Sequence, residues 1–100
     1  MNKTGKNMKK DRNTDVYKAI LALENLDECV KFFEDLCSIT ELRAMEQRYQ
    51  VACLLDSGHI YSEILEKTGA SSATISRVNR CILYGSGGYD IAFKRLAEKE

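Results

Sequence analysis

The sequence predicts an all-α protein of about six helices. Its 100 residues contain no proline, and most of its glycines fall between stretches in which apolar residues recur every three or four positions. That spacing is typical of amphipathic helices, and glycine between them is typical of helix ends and tight turns. A chain of this length forms one domain. We assign it to residues 15–100, preceded by a basic, flexible arm at residues 1–14.

Two amphipathic helices are predicted at the start of this domain. Thr14 or Asp15 is expected to cap the first helix, and Asp27 the second. Their apolar faces are wider than a small monomer can cover, so we expect them to be buried against a second copy of the chain. These faces comprise Val16, Tyr17, Ile20, Leu21 and Leu23 in the first helix and Cys29, Val30, Phe32, Phe33, Leu36 and Cys37 in the second.

Four further helices are predicted after residue 38. A long helix reaches towards Gly58, where a left-handed turn is expected to end it. Two short helices are separated by Gly69, and the glycine-rich "GSGG" at residues 85–88 breaks the chain before a last amphipathic helix. The apolar face of the long helix is predicted to comprise Leu42, Met45, Tyr49, Ala52 and Leu55.

The formal net charge is zero, but the charges are unevenly distributed. Residues 1–14 carry five basic groups against one acidic group, whereas residues 15–57 carry nine acidic groups against four basic ones. A basic arm can be a solvated tail or can bind nucleic acid.

No apolar run is long enough to cross a bilayer, and the N-terminus lacks the apolar core of a signal peptide, so we expect a cytoplasmic protein.

Residues with catalytic or metal-binding chemistry are sparse. His59 is the only histidine, with no obvious partner, and no two of the four cysteines form a CxxC pair. The sequence therefore predicts neither a metal site nor an enzyme. Each cysteine lies among aliphatic residues, which favours reduced, buried thiols, with a redox-sensing pair as the alternative. The cysteines are Cys29, Cys37, Cys53 and Cys81.

The two short helices and the glycine between them have the pattern of a helix-turn-helix at about residues 61–84. Ile64, Ile75 and Val78 are predicted to face inward, and Ser71 is expected to cap the second helix. At the N-terminus of the second helix, free backbone N–H groups attract phosphate, and short side chains there can contact base edges. A plain helical hairpin without a DNA role has the same pattern, and Leu65 is bulky for a steep helix crossing. The outward-facing residues are Ser72, Ala73, Ser76, Asn79 and Arg80.

Three motifs carry a resemblance to a known family. They are "QRYQVACLLDSG" at residues 47–58, "GASSATISRVNR" at residues 69–80 and "YGSGGY" at residues 84–89. These motifs resemble the Trp repressor family, in particular its Trp-repressor-like YerC/YecD subgroup, and the resemblance covers most of residues 15–97. It implies an intertwined, all-helical homodimer that binds double-stranded DNA, with the second helix of each helix-turn-helix in a major groove.

The resemblance also implies which side chains contact DNA. By position, Ser72, Ala73 and Ser76 would contact bases, and Ser62 would contribute from the preceding helix. With the cap residue and two polar residues further along the second helix, the candidate DNA-binding set is Ser62, Ser71, Ser72, Ala73, Ser76, Asn79 and Arg80.

A small-molecule pocket is a further implication of the resemblance. The Trp repressor holds tryptophan between two arginines, and Arg48 and Arg77 match their positions. Val78 stands where that protein has the glycine that leaves room for the indole ring, and the segment between the long helix and the second helix of the helix-turn-helix is one residue shorter. We therefore expect no tryptophan corepressor and no other cofactor, and we interpret the two arginines as structural or phosphate-binding groups.

The leading prediction is a homodimeric, sequence-specific DNA-binding regulator, a transcriptional repressor by family resemblance. One alternative is a ligand-sensing regulator with a pocket near Arg48 and Arg77 for an unidentified small-molecule effector. The other is a helical interaction protein that does not bind DNA and uses the acidic residues 15–57 as its partner face.

Overall fold

The computed structural model describes residues 13–99, so the greater part of the basic arm, residues 1–12, lies outside the described residues. The described chain forms six α-helices and no strand, which confirms the all-α prediction. The helices are α1 (Asp15–Ala22), α2 (Leu26–Leu36), α3 (Ile39–Asp56), α4 (Tyr61–Thr68), α5 (Ser72–Tyr84) and α6 (Gly88–Glu98). Contacts divide the chain into two compact units, of which the first ends at Ile39 and the second begins at Thr40.

The first unit contains α1 and α2, and neither helix has a fully buried residue in this chain. Part of its apolar surface is half-buried, as at Ile20 and Phe33, and part is open to solvent. Leu21 keeps 84% of its surface exposed and Leu26 keeps 79%. Single exposed apolar residues are common in proteins, but these two short helices receive less apolar packing from their own chain than a stable helix needs.

The predicted caps in the first unit were only partly right. Thr14 is the N-cap residue of α1, as one of the two predicted candidates, but its side chain makes no capping bond, and the Oδ1 atom of Asn13 accepts a hydrogen bond of 2.9 Å from the N–H of Asp15. Asn25 caps α2 by accepting a 2.9 Å bond from the N–H of Glu28. The prediction of Asp27 was therefore wrong by two residues. Its carboxylate lies inside the first turn of α2 and forms a 3.0 Å ion pair with Lys31.

The second unit contains the hydrophobic core, to which three consecutive helices contribute. The buried residues are Val51, Ala52, Ile64, Ala70, Ile75 and Val78, and Leu54, Leu55, Ile82, Tyr89 and Phe93 pack against them. The inward positions predicted for Ile64, Ile75 and Val78 are thus confirmed. Burying an aliphatic side chain of this size stabilises a fold by about 1.5–3 kcal/mol. This core fixes the helix-turn-helix onto α3.

The face predicted for α3 was only partly right. Ala52 is buried and Leu55 packs on the core, but Val51 is buried as well and was not predicted. Tyr49 instead contacts α6, where its ring centroid lies 5.9 Å from that of Phe93. Because different elements contact different sides of α3, its interior positions do not follow one stripe. The helix ends before Gly58, whose φ of +87° confirms the predicted left-handed turn.

The surroundings of Tyr49 raise the pKa of its phenol above the usual value of 10.0. Burial is the largest cause of this rise in pKa, and a hydrogen bond and an electrostatic interaction with Cys53 add to it. Tyr49 therefore stays protonated at neutral pH, as a group that packs against Tyr89 and Phe93.

Two expectations about reactive residues need correction. All four cysteines are free thiols, but none is fully buried in this chain, and Cys81 is exposed. Cys81 lines the open groove on the outer side of α5, whereas the next residue, Ile82, packs against the core. His59 had no obvious partner in the sequence, but it is half-buried and its Nδ1 atom lies 3.3 Å from the carbonyl oxygen of Leu54.

Candidate nucleic-acid interface

Helices α4 and α5 pack against each other and form the helix-turn-helix. Ile64 of α4 and Ile75 of α5 are both completely buried, and Ala70 in the connection is nearly so. The bulk of Leu65 does not obstruct the crossing, since 48% of its surface is exposed and Ile64 takes the inner position instead. The core thus holds α5 from one side and leaves its opposite side open.

The connection between α4 and α5 is tightly hydrogen-bonded. Gly69 has a φ of +71°, a conformation that favours glycine, and its N–H donates to the carbonyl of Leu65 over 2.8 Å. The Thr68 hydroxyl donates to the carbonyl of Ile64 over 2.7 Å and accepts the N–H of Ala70 over 3.1 Å. This turn fixes where α5 begins.

The first turn of α5 is capped as predicted. The Ser71 hydroxyl accepts a 3.1 Å bond from the N–H of Thr74 and also lies 3.1 Å from the Thr74 hydroxyl. The first backbone bond of the helix runs from the N–H of Ile75 to the carbonyl of Ser71. The N–H groups of Ser72 and Ala73 therefore precede the helical bonding pattern and are available to an anion at this helix end.

The seven candidate DNA-binding residues divide into two groups by exposure. Ser76 and Asn79 directly follow the buried residues Ile75 and Val78 and are half-buried, so only part of each side chain is available to a ligand. Ser71 is exposed, but its hydroxyl is already engaged in the cap. The exposed members are Ser62, Ser71, Ser72, Ala73 and Arg80.

The predicted ligand-pocket residues are not brought together in one cavity. An open groove of about 320 Å³ is lined by Arg77, Arg80, Cys81, Tyr84 and Gly85 on the outer side of α5. Arg48 is half-buried on α3 and does not line this groove, while Val78 has 1% of its surface exposed and belongs to the core. Within residues 13–99, neither Arg77 nor Arg80 forms an ion pair with an acidic side chain. The groove is therefore cationic.

Sequence reasoning missed three residues of this groove, Cys81, Tyr84 and Gly85. Cys81 and Tyr84 could have been found from the helical period, because positions 77, 81 and 84 follow one face of α5. The described residues contain no group of three or more His, Cys, Asp or Glu side chains that could hold a metal ion. None of the described helices has both the length and the apolar character needed to cross a bilayer.

Comparison with known proteins identifies the family of this chain. A family model described as "Trp repressor protein" matches residues 12–97. The chain belongs to the Trp repressor family. A curated relative, the uncharacterized protein YerC of Bacillus subtilis (strain 168), is 47% identical over 85 residues, which cover 85% of this chain and 82% of YerC. The resemblance read from the three motifs is thereby confirmed.

Solved structures of the Trp repressor family have the same fold. One is a Staphylococcus aureus protein assigned provisionally as a Trp repressor, with 40% identity and a TM-score of 0.83 over 90% of this chain and 93% of that chain. Another is a TrpR-like protein from Eubacterium eligens ATCC 27750, with 52% identity and a TM-score of 0.79 over 82% of this chain and 84% of that one. Membership of this family generally indicates a DNA-binding regulator rather than an enzyme.

Proposed function

We propose that this protein is a sequence-specific DNA-binding transcriptional repressor that acts as a homodimer, with α5 in the major groove of double-stranded DNA. The observation that carries the proposal is the helix-turn-helix itself. Ile64, Ile75 and Val78 are buried on its inner side. At the start of α5, Ser71 caps the helix and the short side chains that follow it are exposed. Such a helix end can approach bases closely. We expect the protein to act in the cytoplasm, the location typical of this family.

The homodimer is supported by the lack of buried residues in α1 and α2. A second copy of the chain would cover apolar side chains that this chain leaves in solvent. A dimer also has a two-fold axis. Its two copies of α5, which we call the reading helices, would therefore lie in successive major grooves about 34 Å apart. Its preferred DNA sites would then be near-palindromes with half-site centres about 10 base pairs apart.

Base contacts are assigned to Ser72, Ala73 and Ser76, with Ser62 contributing from α4. Ser71, Asn79 and Arg80 would add contacts to the DNA backbone, where an arginine without an ion pair contributes most. Residues 1–14 carry five positive charges against one negative charge. They would add affinity for any DNA sequence through phosphate contacts and counterion release.

Selection of bound duplexes from a random DNA pool by the purified protein tests this proposal. An enriched near-palindrome is the expected result, and a pool that stays random contradicts it. Replacing Ser76 by Ala should then weaken binding at one matching base by about 1–3 kcal/mol and relax the preference there. The matched control is Ser86→Ala, because Ser86 is an exposed serine outside the helix-turn-helix.

Deleting residues 1–12 separates the arm from the reading helix, because it removes all five basic groups and keeps Asn13, which accepts the N–H of Asp15 in α1. The truncated protein should bind all sequences more weakly by a similar factor and with a shallower salt dependence, because phosphate contacts are lost. If truncation abolishes sequence preference while Ser76→Ala leaves it unchanged, the arm makes the base-specific contacts, and the assignment of these contacts to α5 is wrong.

Tryptophan is not proposed as the effector. The side chain of Val78 is part of the core, and an indole ring placed there would displace packed atoms. The cationic groove along Arg77 and Arg80 favours a second candidate function, a regulator that senses an anionic small molecule. A screen of anionic metabolites for a change in DNA affinity tests it, with Arg77→Ala as the variant that should remove the response, because Arg77 lines the groove and is not among the proposed DNA contacts.

A further inference from the structure

A hydrogen bond connects the long helix α3 to the turn of the helix-turn-helix. The Nε2 atom of Gln47 lies 3.1 Å from the carbonyl oxygen of Thr68, which is 21 positions further along the chain. A carbonyl oxygen can only accept, so the amide nitrogen of Gln47 must be the donor. The contact is partly buried, which reduces competition from water.

The position of the acceptor gives this bond its significance. Thr68 is the last residue of α4, where backbone carbonyls have no partner within the helix. Its carbonyl group lies immediately before Gly69, at which the chain turns towards α5. The neighbouring Thr68 hydroxyl is already committed to Ile64 and Ala70. Gln47 therefore holds the peptide unit from which the reading helix departs.

We propose that Gln47 is a positioning residue that sets the orientation of α5 relative to α3 and thereby the sequence preference of the protein. This inference rests on the proposed function. Apolar contacts between Val51, Ala52 and the helix-turn-helix are largely non-directional, whereas a hydrogen bond weakens steeply when its angle changes. Base contacts in turn require side chains to be held within about 0.5 Å of their productive geometry. A directional contact at the turn supplies such a constraint.

The test compares two substitutions with a matched control. Gln47→Met keeps a long, unbranched side chain and removes the donor, and Gln47→Glu keeps the shape but offers only acceptors at neutral pH. The control is Gln50→Met, because Gln50 is an exposed glutamine of the same helix. The measured quantity is the ratio of affinities for the selected duplex and for a random duplex of equal length, at one salt concentration.

We expect Gln47→Met to lower this specificity ratio about fivefold, the effect of losing one typical hydrogen bond, while affinity for random DNA stays unchanged. Gln47→Glu should lower the ratio at least as much, because two acceptors then face each other. Its added negative charge weakens binding to both duplexes and so cancels from the ratio. Both variants should also shift the amide NMR signals of Gly69 and Ala70, whereas Gln50→Met should change neither the ratio nor these signals.

Two results would overturn the inference alone. One is a specificity ratio within twofold of wild type for both Gln47 variants. The other is a lower melting temperature with equal weakening towards both duplexes, which is the signature of a merely structural residue. If the wild-type protein itself prefers no sequence, the proposed function fails first and the inference fails with it, so the two failures are distinguishable.

Discussion

The first two helices and the helix-turn-helix differ in how their apolar residues are covered. In α4 and α5, Ile64 and Ile75 are completely buried within a single chain. In α1 and α2 no residue is buried, and Leu21 is 84% exposed. The two regions nevertheless have similar local signals, namely amphipathic faces and a side-chain cap at Asn25 or Ser71.

The difference shows that amphipathic pattern and tertiary burial are separate properties. A helix of 8 or 11 residues, the lengths of α1 and α2, is marginal in water unless its apolar face is packed. The helix-turn-helix has that packing from its own chain. The first two helices need another surface, and we expect a second copy of the protein to supply it. Four predictions follow from this contrast, in order of decreasing effect.

Placing a charge on the open face of α1 should have the largest effect. Leu21→Glu should destabilise the dimer by about 3 kcal/mol or more per copy, because apolar burial is lost and a carboxylate would enter the interface. Sedimentation equilibrium and the concentration dependence of the melting temperature measure this change. Lys18→Glu is the control, since it alters charge on the same helix without removing an apolar side chain. A Leu21→Glu protein with unchanged assembly and stability would show that no second copy covers α1.

Removing a core side chain of the helix-turn-helix should have a smaller but still large effect. Ile75→Ala should lower the free energy of unfolding by about 2–5 kcal/mol, because the buried side chain leaves a cavity. Denaturant titration measures this, with Ser72→Ala on the exposed face of α5 as the control, expected to stay within about 0.5 kcal/mol of wild type. Equal effects of the two substitutions would contradict the division of α5 into a buried and an exposed face.

Tryptophan should not bind at Val78. Placing extra atoms in a filled core costs about 1–3 kcal/mol, so calorimetry with millimolar tryptophan should show no binding to the wild-type protein. DNA affinity should also be the same with and without tryptophan. Val78→Gly removes the obstructing side chain, and a gain of tryptophan binding by this variant would support the explanation. Tight binding by the wild-type protein would refute it.

The two side-chain caps should have similar effects on stability and different effects on DNA binding. Asn25→Ala and Ser71→Ala should each lower the free energy of unfolding by about 1 kcal/mol, since each leaves one backbone N–H without its acceptor. Only Ser71→Ala should also weaken binding to the selected duplex, because it loosens the first turn of α5. Equal loss of DNA affinity in both variants would indicate that DNA binding depends on the proposed dimer surface of α1 and α2 as strongly as on the cap of α5.

Local sequence determined much of this protein. The absence of proline and the helical spacing of apolar residues predicted six helices, and Gly69 and Ser71 marked the turn and the cap of the helix-turn-helix. The motifs around them also predicted the family. These features depend on local backbone conformation and on residues within about four positions of each other, so they can be predicted from the sequence alone.

Other features were decided only by the tertiary structure. The burial of Val51, the exposure of Cys81 and the bond from Gln47 to Thr68 depend on which elements lie beside each helix. Arg48 and Arg77 likewise match the positions of a ligand pocket in sequence, yet Arg48 does not line the groove that contains Arg77. The physical reason is that such contacts join residues far apart in the chain, and helical periodicity specifies a face of a helix but not the neighbour that covers it.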